Sequence, residues 1–207
     1  MSGEAALRLQ LTRAAVERFL AAQSSREAKL SVSEVARAFG FGRGEGLEKG
    51  LRAHRCLFGD PEWIFEEEVV EVPFPLAWRF RFGWLYGVAD KVLFVRGVPT
   101  AVIEVKSYRE IKRGERVQAS LYALLALVNL GAKPRAFVET PGGLVEVVEW
   151  EELALSALER VARARRPPSA GWELWGCRAP RRARRAETPR ARAPRRRGPC
   201  TREASPA

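Results

Sequence analysis

The residue types that crowd most metal and catalytic sites are scarce in this 207-residue chain. It holds two aspartates (Asp60, Asp90), one histidine (His54), six lysines and three cysteines (Cys56, Cys177, Cys200). Three scattered cysteines exclude a disulfide framework. The longest nearly apolar run, Leu121 to Leu130, is too short to cross a bilayer, which excludes a helical membrane span there. The N-terminus lacks a basic-then-apolar leader, so the expected location is the cytoplasm, with no membrane partner. No internal repeat is evident.

Excess charge is also absent from most of the chain, despite a formal net charge of +11. Residues 161–207 carry 14 arginines and three glutamates, while residues 1–160 carry 22 basic and 22 acidic residues. The folded part is therefore neutral and the basicity belongs to a tail. A hydrophobic fraction of 46% over this length is enough for one domain with a sizeable core.

Periodicity divides the chain into an N-terminal helical segment (1–30), an α/β core (31–166) and an Arg/Pro-rich tail (167–207). Ala5, Leu9, Leu11, Ala15, Val16, Phe19 and Leu20 recur at helical spacing over 4–22. Ser31 or Ser33, followed by Glu34, suits the N-cap of a short helix to Phe39. A glycine-rich loop follows, then a helix over 45–58 with Leu47, Leu51, His54 and Phe58 on one stripe. A strand is expected over 68–72, a break at Pro73-Phe74-Pro75, and a long strand over 78–95. After a tight connection at Arg96-Gly97, a second long strand spans 100–108. A helix over 114–129 stops at Gly131, a hairpin joins 135–139 to 144–150, and a last helix spans 151–164. Past Pro167, apolar periodicity disappears and disorder is expected.

Within this frame the scarce polar residues recur in one series. Asp90 precedes Glu104-Val105-Lys106, and Gln118 and Tyr122 follow. On a strand, Glu104 and Lys106 share a face about 6.6 Å apart, with Ile103 and Val105 turned into the core. If the hairpin turns near Gly97, Asp90 lies opposite Glu104 with Cβ atoms about 5 Å apart, an arrangement that a one-residue slip would destroy. Two carboxylates and a backbone carbonyl are hard oxygen ligands for a divalent cation. Such a cation neutralises a phosphodiester and activates water, and Lys106 beside it can orient water or stabilise developing charge. Gln118 and Tyr122, four apart, share a helix face beside the stripe Val117, Leu121, Leu124 and Val128. Acid-x-Lys alone selects nothing, since Glu27-Ala28-Lys29 and Glu110-Ile111-Lys112 also match. Each element has a plain alternative: a surface ion pair on a hairpin, a core histidine, or a buried tyrosine bonded to a glutamine.

Taken in order, Gly50–His54, Gly87–Asp90, Glu104–Lys106 and Gln118–Tyr122 resemble the PD-(D/E)XK nuclease superfamily in its RecB-like form. Size and the helical N-terminal part are most similar to the CRISPR-associated RecB-like exonucleases, over roughly residues 31–165. The resemblance implies a restriction-endonuclease-like α/β core, a mixed central sheet flanked by helices. It also implies a metal-dependent DNA exonuclease acting on single-stranded or duplex ends, with a role in CRISPR spacer acquisition beside the adaptation proteins. His54, Asp90, Glu104 and the Val105 carbonyl would bind Mg²⁺ or Mn²⁺. The catalytic set would be Asp90, Glu104 and Lys106, with Gln118 and Tyr122 organising the site and the DNA. Other repair or restriction nucleases, and a non-catalytic nucleic-acid-binding protein on the same fold, are the alternatives.

The chain departs from the CRISPR-associated pattern in its cysteines. That family carries an iron–sulfur cluster on one cysteine before the histidine motif and three near the C-terminus. Here Cys56 follows His54, and Cys177 and Cys200 lie 23 apart, so no cluster is expected. The tail has three readings: a phosphate-binding extension, a solvated extension without a role, or out-of-frame translation of a GC-rich gene.

Overall fold

The structure, a computed structural model, describes residues 3–40 and 61–165. The expected helix over 45–58, with Gly50, His54 and Cys56, and the tail over 167–207, with Cys177 and Cys200, lie outside the described residues. The described part is mixed α/β, with a six-stranded mixed sheet flanked by helices.

Helix α1 (Gly3–Ser24) buries Leu9, Thr12, Ala15, Val16, Phe19 and Ala22, the three-to-four spacing of one helical face. After the short strand β1 (Lys29–Ser31), helix α2 (Val32–Arg37) begins at Ser31. There the Glu34 N–H donates to Ser31 Oγ at 3.2 Å and the Ser31 N–H donates to Glu34 Oε2 at 2.6 Å. These reciprocal bonds satisfy donors that a helix start leaves open. A short 3₁₀ turn (Pro61–Phe65) leads into β2 (Val69–Phe80), β3 (Gly83–Val95) and β4 (Val98–Val105). Helix α3 (Arg113–Leu130), hairpin β5 (Arg135–Thr140) and β6 (Gly143–Glu146), and helix α4 (Trp150–Ala164) complete the chain.

Two expectations need correction here. The Pro73-Phe74-Pro75 break is absent, because β2 runs through it. Among the described residues β2 pairs only with β3 and is an edge strand, so missing proline N–H groups can face away from the ladder. The expected strand over 78–95 is instead two strands, joined by a turn at Arg81-Phe82. The β3–β4 connection is a two-residue turn with positive φ at Arg96 (50°) and Gly97 (73°), the backbone that matches the twist of a hairpin.

β2 covers one edge of β3 along its whole length. β1, parallel to Trp84–Tyr86, and β4, antiparallel to Lys91–Val95, therefore share the other edge. Between them, among the described residues, Gly87–Asp90 have no strand partner on that side. This notch positions the candidate site. α3 packs over β2, β4 and β5, with α4 against its outer side. The main core between sheet and helices contains Phe74, Leu76, Leu85, Phe94, Leu121 and Leu125, all fully buried, with Phe74 and Phe94 edge-to-face at 5.5 Å. α3 is buried more widely than one stripe. Leu125, Ala126 and Asn129 are fully buried, while Leu124 and Val128 are only half-buried. On the opposite face of the sheet Ala101, Ile103 and Phe137 form a separate small cluster.

Candidate active site

β3 and β4 pair with Lys91 opposite Ile103, and one further step brings Asp90 level with Glu104. Two irregularities make this geometry possible. Leu93 pairs with Ala101 but Phe94 with Pro99, so the extra residue Thr100 moves Asp90 from Ile103 to Glu104. A β-bulge against β2 sets the face on which Asp90 lies. Val72 pairs with Val92, yet Phe74 pairs with Ala89, so Pro73 alone faces the two residues Asp90 and Lys91. Strict alternation would place residues three apart on opposite faces. With the extra residue, Leu85 and Ala89 before the bulge and Val92 and Phe94 after it all face the main core. Gly87 and Asp90 can therefore both face α3.

Val102 belongs to the main core, and Glu104 and Lys106 follow it on the same face of β4. Glu104 is 2% exposed, and its Oε1 accepts from Lys106 Nζ at 2.7 Å. Lys106 Nζ also donates to Gln118 Oε1 at 3.1 Å, across from α3. The Val105 N–H donates to Asp90 Oδ2 at 2.8 Å. Since N–H and C=O of one strand residue point to the same side, the Val105 carbonyl is also aimed toward the Asp90 edge. The Val105 side chain, expected in the core, is 38% exposed, while Ile103 is buried in the small second cluster. The Lys106 N–H bonds to the Glu139 carbonyl at 2.8 Å, fixing the strand end against β5.

Tyr122 is buried beside this group, with Gln118 and Ser33 against its hydroxyl. It sits directly over Gly87, where a Cβ would lie 2.6 Å from the hydroxyl and 2.9 Å from Cε1. The glycine is thus demanded by the tyrosine's approach. Beyond Lys106, the chain is tied to α3 by the buried Glu115, which accepts from the Tyr108 hydroxyl and from the Lys112 N–H at 2.8 Å.

Electrostatics follow from burial. Lack of solvent, and then the negative charge of Asp90, push the Glu104 carboxyl up to about 8, although Lys106 pulls the other way. Burial holds the Tyr122 hydroxyl well above its usual range, reinforced by Glu104 and Asp90. Tyr108 is raised by burial and by its bond to Glu115.

Asp90, Glu104, Lys106, Gln118 and Tyr122 thus meet around the notch, and His54 lies outside the described residues. The second oxygen of Glu104 is buried with no hydrogen-bond partner among the described residues. A buried carboxylate oxygen without a donor is costly. Together with Asp90 and the Val105 carbonyl it fits a hard divalent cation. Among the described residues no cluster of three or more acidic, histidine or cysteine ligands forms. Sequence reasoning treated Ser33 only as a possible cap, although its hydroxyl reaches Gln118 (Nε2 to Oγ, 3.4 Å). Periodicity gives no reason to single it out. The bulge did have a signal, namely a proline inside an otherwise β-rich run.

No protein-family model matches the chain, and no curated protein matches it. Two solved structures are similar. One, a "putative exonuclease" from Eubacterium rectale, shares 15% identity at a TM-score of 0.36, over 55% of this chain and 47% of that one. This chain therefore matches about half the length of that protein. The other, SSO0001, shares 15% identity at a TM-score of 0.32, over 77% and 86% of the two chains. Both likenesses are too distant to assign an activity. Among the described residues no helix is long and apolar enough to cross a membrane.

Proposed function

We propose that this protein is a metal-dependent deoxyribonuclease of the PD-(D/E)XK type, removing nucleotides from DNA ends. The observation that carries the reading is the buried oxygen of Glu104 that has no hydrogen-bond partner among the described residues, beside Asp90, with Lys106 held on the other oxygen. Asp90, Glu104 and the Val105 carbonyl, with His54, would hold Mg²⁺ or Mn²⁺. When bound, the cation neutralises the scissile phosphate and lowers the pKa of its water.

The remaining work falls to side chains. Hydrolysis joins the water oxygen to phosphorus and breaks the bond to the leaving sugar oxygen. Lys106, held between Glu104 and Gln118, carries its ammonium where it can orient that water and offset charge on the phosphoryl oxygens. Gln118 keeps the ammonium from collapsing wholly onto Glu104. Tyr122, raised far from ionisation, stays a neutral wall of the site. Placement among CRISPR-adaptation nucleases, trimming spacer precursors, rests on chain size, the helical N-terminal part and motif order; degradation of linear but not circular DNA would support the end-trimming role.

The test is cleavage of end-labelled single-stranded DNA with Mn²⁺ by the wild type, Lys106→Ala and Asp90→Ala. The expected result is degradation by the wild type alone, with all three proteins folded. Equal survival of the DNA in all three reactions would refute the reading and favour a binding role for the fold. Loss of folding in Lys106→Ala would mark the pair as a structural ion bridge.

A further inference from the structure

We infer that Ser33 is a positioning residue, which sets the orientation of the Gln118 amide and so presents its carbonyl oxygen to Lys106. The inference deepens the nuclease reading and rests on it for its kinetic part. A lysine ammonium has only donors, so the Gln118 oxygen must be the end that faces it. That leaves the Gln118 NH₂ group, buried with its residue, requiring an acceptor on the other side. Ser33 Oγ, 3.4 Å from Nε2, accepts there, and the Tyr122 hydroxyl, itself bonded by Gln118, stands beside it.

The placement of Ser33 is built into the fold from both ends of α2. At the start, β1 is paired to Trp84–Tyr86 of β3, and the Ser31–Glu34 cap begins the helix beside the notch. At the far end, the Gly114 N–H donates to the Gly40 carbonyl at 2.9 Å. A Cβ on Gly114 would lie 2.2 Å from that oxygen and 3.1 Å from the Ala36 carbonyl. α2 and α3 therefore touch backbone to backbone at Ala36 and Gly114. One turn back along α2 is Ser33, and one turn forward along α3 is Gln118. The close approach brings the hydroxyl and amide together. Tyr122, pinned over Gly87, closes the remaining side of the serine hydroxyl.

The experiment uses the full chain as wild type, Ser33→Ala and Ser33→Thr, with two readouts. The first is steady-state cleavage of single-stranded DNA with Mn²⁺. The second, without metal or DNA, is the ¹⁵N–¹H signal pair of the Gln118 side-chain amide, identified by its loss in Gln118→Glu. Ser33→Ala should lower kcat about tenfold with KM nearly unchanged, and shift the Gln118 amide pair towards free-amide values. Ser33→Thr, which keeps the hydroxyl, should restore both. An unmoved amide pair in Ser33→Ala overturns the inference, as does an equal loss in Ser33→Thr. If the wild type cleaves nothing, the nuclease reading fails alone, and the amide signals still decide what Ser33 holds.

Discussion

Raising the pH should loosen the metal-free protein, and Glu104 should be the cause. Its carboxyl is buried, and burial with the Asp90 charge pushes its titration up to about 8, against roughly 4.3 for glutamate in an unfolded chain. The folded state therefore holds its proton more tightly than the unfolded state. That contribution is fully present below the unfolded value and is lost as pH rises through the folded one. Between the two, unfolding releases one proton, so stability falls by about 1.4 kcal/mol per pH unit. From about pH 5.5 to about pH 7.5 the upper limit is near 3 kcal/mol. Glu104→Gln removes the titrating group while keeping the shape. Urea midpoints followed by tryptophan fluorescence in EDTA should fall with pH in the wild type and much less in the variant. Titrations common to both proteins cancel in the difference. Adding Mn²⁺ should flatten the wild-type slope, because the cation takes the proton's place on the carboxylate. Identical slopes in wild type and variant without metal would refute the reasoning.

Other outcomes follow from contacts elsewhere. Gly87→Ala should cost about 1–3 kcal/mol by overpacking, lowering Tm by roughly 2–4 °C per kcal/mol. Part of that loss should be recovered in a Tyr122→Phe background, because the hydroxyl is the atom only 2.6 Å from the added carbon. Strict additivity of the two changes in thermal melts would rule the contact out. Asn129 is fully buried, accepting from Arg18 at 3.0 Å and donating to the carbonyls of Ala77 (3.1 Å) and Leu125 (2.8 Å). Asn129→Leu leaves the Arg18 guanidinium and the Ala77 carbonyl without that partner and should cost about 1–3 kcal/mol; an unchanged denaturant midpoint would contradict this.

Local signals in the sequence described much of this architecture. α1 and α3 have clear helical spacing, and Ser31 with Glu34 marks the start of α2. The two-residue turn at Arg96-Gly97 alone would pair Asp90 with Ile103; the register that sets Asp90 level with Glu104 also needs the irregularity at Thr100. What escaped depends on neighbours distant in sequence. Pro73 and Pro75 look like a break unless β2 is known to be an edge, and the bulge appears only once β3 is paired. Arg81-Phe82 lies inside a run rich in aromatic residues, which masks the turn. Val105 resembles a core residue, but its side of the sheet carries only a small cluster. Ser33 gains its place from a helix crossing, which no residue spacing can display. The His54 motif lies outside the described residues.

The shared edge of β3 also orders events in time. Asp90 and the Val105 N–H are 15 residues apart, within one hairpin, whereas Ser33 reaches Gln118 across 85 residues. Nearby pairs close early and distant ones late. A chain still emerging from synthesis would hold both acids before α3 has been made and can bring Gln118 to Ser33. Under the proposed activity, competence to cut arrives with the final long-range closure, so unfinished copies would be harmless to the nucleic acid around them.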